Sequence, residues 1–320
     1  LPLYTGGKLE QYGKITKALE SMSTLDLESL RLQKIYEIKK SFYAISLLDT
    51  YLYNLQLIAS NTKKLEAKTA AMMEEGYVKK VDLLEVQNKH SDVERLIAQA
   101  EANRTLLYHF ISFLVDEEVT AIKGHYEEVQ DVSMTDERIL SDNLDIKKAE
   151  QGVEISKMNI ALAQSAFLPQ VGAFANYGSS DDKLMNDFSK NDAYTVGLQV
   201  KWNLFNGGSD KNNVEKARVE NLKASQQLVL AKKQIALYLK QLQTQIKNDE
   251  YEIKSLKNEV ELAHVIYENY AGRYEQKLVS INDVLIKQSE ELSKVLRLKE
   301  VQNARNEKIF ELQKLASKEM

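Results

Sequence analysis

The chain has 320 residues, 43% hydrophobic and 28% charged, which is too apolar for a disordered polypeptide. Its net charge of −4, with acids and bases interspersed, leaves no basic footprint for nucleic acid and no single-sign tail. It has no cysteine, so disulfides and thiolate chemistry are excluded, and no apolar run reaches the ~18 residues of a membrane-spanning helix.

Two prolines and 12 glycines suit long uninterrupted helices. Leu1–Tyr4 reads as the end of a strand, and Gly6-Gly7 as the turn from strand to helix. Gly6-Gly7-Lys8 lacks the Ser/Thr and the upstream glycine of a phosphate loop. A helix is predicted from about Lys8 to Glu75, with a break at Glu75-Gly76-Tyr77-Val78. A second follows near Lys79–Val115, where Val93, Leu96, Ala100, Asn103, Leu107, Phe110 and Leu114 recur at steps of three and four. Residues 1–115 thus read as a first repeat, a strand end followed by an antiparallel helical hairpin with a tight tip. Residues 116–135, polar and containing Gly124, form a connecting segment on the flank.

Residues 136–167 are predicted as one helix ending before Pro169, which disfavours helix at Leu168. Within 168–208 the period changes to two. Tyr194, Val196, Leu198, Val200, Trp202 and Leu204 share one strand face, with Thr195, Gly197, Gln199, Lys201 and Asn203 on the other. The span from Tyr194 to Leu204 matches the ~9–11 residues a tilted strand needs to cross a bilayer. Val171–Gly178 is a weaker partner strand, and Ser179–Asp192 a polar connection. Taken alone, the strand could equally belong to a soluble sheet. In a membrane, Val196, Leu198, Val200 and Trp202 would face lipid, and several chains would have to combine to close the sheet.

Residues 209–320 repeat the hairpin after Gly207-Gly208. The helix predicted from Ser209 to Gln276 carries a seam of Ile235, Leu239, Leu242, Ile246, Ile253, Leu256, Val260, Ala263, Tyr267, Tyr270 and Tyr274, with Asp249 its one polar interruption. At ~1.5 Å per residue such a helix runs roughly 100 Å, longer than any ordinary globular core. After the break Lys277-Leu278-Val279-Ser280, a last helix spans about Ile281–Ser317.

The two halves are one unit written twice. Leu3-Tyr4-Thr5-Gly6-Gly7 matches Leu204-Phe205-Asn206-Gly207-Gly208, an offset of 201 residues from Gly6 to Gly207. The same offset relates Val81-Asp82-Leu83-Leu84 to Asn282-Asp283-Val284-Leu285, Gln87 to Gln288, and Leu55 to Leu256. Residues 136–201 have no first-half counterpart, so the native chain is expected to begin earlier.

Leu168-Pro169-Gln170 leading into a strand, Tyr194 to Leu204, Asn203-Leu204-Phe205-Asn206-Gly207-Gly208 entering a helix with Ala217, and the tips Gly76–Leu84 and Leu278–Leu285 together resemble the TolC family of outer-membrane efflux proteins. The resemblance covers nearly the whole chain. It implies a mainly α fold of long, tandemly duplicated, coiled-coil-like hairpins, with strands that join a trimeric outer-membrane β-barrel. It further implies a homotrimer in outer-membrane lipid with a helical tunnel in the periplasm, working with a periplasmic adaptor and an inner-membrane pump. The function implied is a passive outer-membrane channel of a tripartite efflux or type I secretion system. A soluble coiled-coil scaffold or adaptor that binds partners along its length is the alternative.

At the tips, Asp82, Glu85 and Asp283 would become rings of three carboxylates where protomers converge. By the resemblance, Asp283 matches the family's tip aspartate, and Tyr274 a latch tyrosine with Asp82 at its partner position. Ile286 and Val279 replace a second aspartate and a latch arginine. The competing reading is that these acids cap the helices after the turns. No enzyme, cofactor or metal is expected. His90, His109, His125 and His264 lack metal-ligand spacing, and pairs such as Glu290-Glu291 fall on charged helix faces.

Overall fold

The computed structural model describes residues 1–123, 129–130, 134–179 and 192–317. In chain order it contains β1 (Pro2–Thr5), α1 (Lys8–Glu74), α2 (Lys80–Val115), α3 (Asp136–Asp142), α4 (Leu144–Gln164), a 3-10 turn (Ser165–Phe167), β2 (Gln170–Ser179), β3 (Asp192–Lys201), α5 (Ser209–Glu275) and α6 (Ile281–Leu315). The fold is mainly α, with two long helical hairpins, α1–α2 and α5–α6, and one small sheet. Two compact units are distinguished, Leu1–Ser29 with Leu140–Ala236, and Leu30–Ile139 with Leu237–Met320.

The duplication is written into the backbone. Among the described residues, positive φ occurs at Gly6, Gly7, Gly76 and Asp116, and again at Gly207, Gly208, Lys277 and Ser317. Each member of the second set lies 201 residues after its counterpart, the distance from Gly6 to Gly207. The hairpin tips match bond for bond. Gly76 N–H donates to Met73 O and Tyr77 N–H to Met72 O, while Lys277 N–H donates to Tyr274 O and Leu278 N–H to Arg273 O. This is the paired closure that ends a helix through a left-handed residue. Glycine takes that conformation freely at position 76; Lys277 adopts it at a cost of about 1 kcal/mol.

In the second unit the seam of α5 packs on α6. Leu239, Leu242, Ile246, Ile253 and Leu256 are buried, as are Leu298, Val301, Ile309 and Leu312. Steps of three and four keep these side chains on one side of each helix, and their burial holds the hairpin together. Asp249, the polar interruption, is buried too and meets Lys308 Nζ at 2.6 Å. The equivalent residues of the first hairpin are Leu48 and Leu107. A neighbouring ion pair is kept in both copies: Arg305–Glu250 at 2.7 Å and Arg104–Asp49 at 2.6 Å.

The first unit holds the sheet, of order β1-β2-β3 with both pairings antiparallel. Two expectations need correction here. The single helix expected over 136–167 is broken at Asn143, whose Oδ1 accepts the N–H groups of Asp145 and Ile146 and starts α4 afresh. Its last turn tightens to 3-10 at Ser165–Phe167 before Pro169. The strand expected to run to Leu204 ends at Lys201, because Trp202 leaves the ladder and donates its indole N–H to Phe167 O at 3.0 Å. Gly124 and His125, and most of the polar connection between β2 and β3, lie outside the described residues.

The Asp249–Lys308 pair gives a direct test. Lys308→Ala is expected to destabilise the protein by roughly 3 kcal/mol, because it leaves a buried carboxylate unpaired. Asp249→Leu with Lys308→Leu, which copies the first hairpin, is expected to stay within ~1 kcal/mol of wild type or above it. Denaturant unfolding of both variants provides the comparison.

Candidate functional site

Two regions carry the features of a functional site, the sheet and the hairpin tips. In the sheet, Val171, Ala173, Ala175 and Tyr177 of β2 pair with Val200, Leu198, Val196 and Tyr194 of β3. Directly opposed residues share a face, so the pairing builds one continuous apolar surface. It is bare, with Val196 80% exposed, Leu198 70% and Val200 65%. At one end the rings of Tyr177 and Tyr194 lie 5.1 Å apart.

The opposite face carries Gln170, Asn176, Thr195, Gln199 and Lys201. Its one large apolar group is Phe174, which lies over Gly197. A Cβ at Gly197 would come within 2.7 Å of that ring, so only glycine lets the aromatic lie flat on the sheet. At the strand-to-helix turns, Gly6 is a close approach, where a Cβ would meet Ser165 O at 2.8 Å, whereas Gly7, Gly207 and Gly208 face open space.

The tips are built from the ends of α1 and α5 and the starts of α2 and α6. Tyr274 is buried in an apolar cluster with Val86, Ile281, Val284 and Leu285. Its hydroxyl is hydrogen-bonded to Thr69 Oγ1 at 3.1 Å, which ties α5 to α1. The expected partner of Tyr274, Asp82, is engaged elsewhere: its carboxylate accepts Lys79 N–H at 2.6 Å and closes the start of α2. The two residues nevertheless line one cavity of about 360 Å³, together with Met72, Tyr77, Lys277 and Ser280. Across it Lys277 Nζ sits 3.1 Å from the centre of the Tyr77 ring. Sequence reasoning places Tyr77 at the tip without a contact for it, and does not single out Thr69. A threonine on an apolar seam was the available signal for Thr69.

Asp283 does for α6 what Asp82 does for α2. Its Oδ2 accepts the Ser280 hydroxyl at 2.6 Å and the Ser280 N–H at 3.0 Å, while Ser280 Oγ accepts Asp283 N–H at 3.3 Å. This is a complete capping box. At Lys79 the box is half-made, because an ammonium can only donate. The Ser280 hydroxyl, then its N–H, hold the Asp283 carboxyl below the usual carboxylate range. Glu85 lies apart from both, lining a groove of about 810 Å³ with Lys89, Asn282, Ile286 and Ser289.

His264 Nδ1 lies 2.7 Å from Glu291 on a charged surface. Among the described residues no group of His, Asp and Glu could hold a metal ion, and no helix is long and apolar enough to cross a membrane.

Residues 137–317 match the family model for outer membrane efflux proteins. No curated protein matches the chain. Among solved structures, CusC, described in terms of folding and transmembrane channel formation, superposes with a TM-score of 0.88 at 14% identity, covering 99% of this chain and 75% of that one. The outer membrane protein VceC from Vibrio cholerae gives 0.82 at 17% identity, with 99% and 76% covered. The open state of the MtrE outer membrane channel from Neisseria gonorrhoeae gives 0.82 at 14%, with 97% and 72% covered. At such identities the structural likeness is one of fold.

The capping assignment makes Asp283 pH-sensitive. A carboxyl with a lowered folded pKa stabilises fully above its ordinary value of 3.8 and loses that contribution as pH falls through the folded pKa. The thermal midpoint of Asp283→Asn is therefore expected to lie below that of wild type at neutral pH, and the gap to close on acidification to about pH 2. A gap that stays constant with pH would assign the stabilisation to something other than the carboxylate.

Proposed function

The chain belongs to the outer membrane efflux protein family, outer-membrane efflux channel components of tripartite systems, and from that premise we propose that three copies form a passive conduit with its sheet in the outer membrane. The carrying observation is the β2–β3 surface, apolar on one face and polar on the other, in a sheet with two open edges among the described residues. Such a surface is stable where hydrocarbon lies on one side and water on the other, and where other strands complete the ladder. Two or three strands per chain cannot close alone. In this reading Val196, Leu198 and Val200 face lipid, Trp202 lies at the rim, and Gln199, Lys201 and Thr195 face an aqueous lumen.

The helical hairpins extend into the periplasm and their tips meet a periplasmic adaptor, with an inner-membrane pump supplying energy and cargo. Three-fold convergence there makes rings of Asp82, Glu85 and Asp283, which favour cations in a constriction. The Tyr274–Thr69 bond and the Lys277–Tyr77 contact hold the two hairpins of each copy together at that narrow end. The protein assists passage and catalyses no reaction. A water-soluble coiled-coil scaffold has no use for a bare Val196-Leu198-Val200 surface.

Planar-bilayer recording tests both halves of the proposal. The protein from outer membranes is expected to give discrete conductance steps, and Tyr274→Phe with Tyr77→Ala to raise the step size by loosening the tips. A protein that never conducts contradicts the conduit. Steps unchanged in the double variant contradict the role given to the tips.

A further inference from the structure

The polar face of the β2–β3 pair contains one residue that alternation does not explain. Every second position on that face is polar or small, except Phe174 in the middle of β2. An aromatic group on a face given to water leaves apolar surface wet, and Phe174 remains 40% exposed. Directly across the ladder stands Gly197. A Cβ there would lie 2.7 Å from Phe174 Cζ and 2.9 Å from Cε1, so the ring reaches over the bare backbone of β3.

Covering a strand glycine is one use of an aromatic ring. That contact engages one side of the ring and leaves the rest open. One step along the face, about 7 Å away, stand Asn176 and Thr195 in one direction and Gln199 in the other. Amides and a hydroxyl around a flat apolar surface are the groups that orient a bound ring while stacking holds it. Among the described residues this face of β2 and β3 carries no carboxylate, and Lys201, at the end of β3, is its one charge. What the middle of the wall offers a passing molecule is therefore an aromatic surface and hydrogen bonds, with little attraction for charge.

We propose that Phe174 is a stacking platform for cargo: molecules with a planar aromatic ring settle on its open side as they pass, and Asn176, Thr195 and Gln199 hydrogen-bond to polar groups at their edge. This rests on the lumen reading above, and it adds a class of cargo and the residue that meets it. Three copies put three such platforms at one depth of the wall. A single stacked ring is held weakly enough to leave again, which passage requires.

Block of single channels by two cations of equal charge, planar N-methylacridinium and aliphatic tetrabutylammonium, tests the platform. Phe174→Leu keeps an apolar side chain near Gly197 and removes the ring. It is expected to raise the N-methylacridinium concentration that halves the current roughly two- to tenfold, and to leave that of tetrabutylammonium unchanged. Phe174→Tyr, which keeps the ring, is expected to match wild type. Gly197→Ala keeps Phe174 but displaces its ring, and is expected to act in the same direction as Phe174→Leu; it decides the matter should the leucine variant fail to assemble. Channels on which N-methylacridinium acts equally with and without the ring, or variants that shift both cations alike, overturn the platform and leave the conduit standing. Wild-type protein that conducts nothing overturns both.

Discussion

An open sheet with a bare apolar face sets the terms for this protein. The outer edges of β1 and β3 present backbone N–H and C=O groups with no strand beside them among the described residues. Val196, Leu198 and Val200 of β3 are largely exposed. In water such a surface invites aggregation; in hydrocarbon each unpaired backbone group costs several kcal/mol. Both difficulties end together when other copies complete the ladder and lipid covers the apolar face. The helical hairpins are then attached to something that has to assemble.

Duplication explains how charge is distributed along those hairpins. Positions that are equivalent in backbone are not equivalent in surroundings. Asp249 and Lys308 form an ion pair where the first hairpin has Leu48 and Leu107. Glu307 and Lys314 make polar contacts with α1 where the first hairpin has the bare Leu106 and Phe113. The first copy is thus richer in exposed apolar groups on α2, and the second in ion pairs between α5 and α6. Drift of this kind is expected once two identical halves occupy different seams, since each position answers to its own neighbours.

Much of this was legible in the sequence, because long-range order in a heptad pattern is redundant. The ends of α1 and α5 fall within one residue of the periodic pattern, and Gly76 marks the first tip. Where single residues decide, the reading slipped. Ser141-Asp142-Asn143-Leu144-Asp145 carries a helix-start signal, but apolar periodicity on both sides hid the break at Asn143. Alternation continues through Trp202 and Leu204, so nothing local revealed that the Trp202 indole turns to Phe167 O and ends the strand. Lys277 offers no hint of left-handed backbone, and only its offset from Gly76 does. Tyr274 stood out as a tip residue, but its partner Thr69 is 205 residues away and of a type that forms bonds anywhere.

The alternation along β3 is the central claim, and fluorescence quenching tests it most directly. A single environment-sensitive dye would be placed by cysteine substitution at Val196, Leu198 or Val200, and in parallel at Thr195, Gln199 or Lys201, in protein reconstituted into bilayers. The account predicts quenching of the first three by brominated lipid and of the second three by aqueous iodide. Equal quenching of both sets by iodide would contradict it.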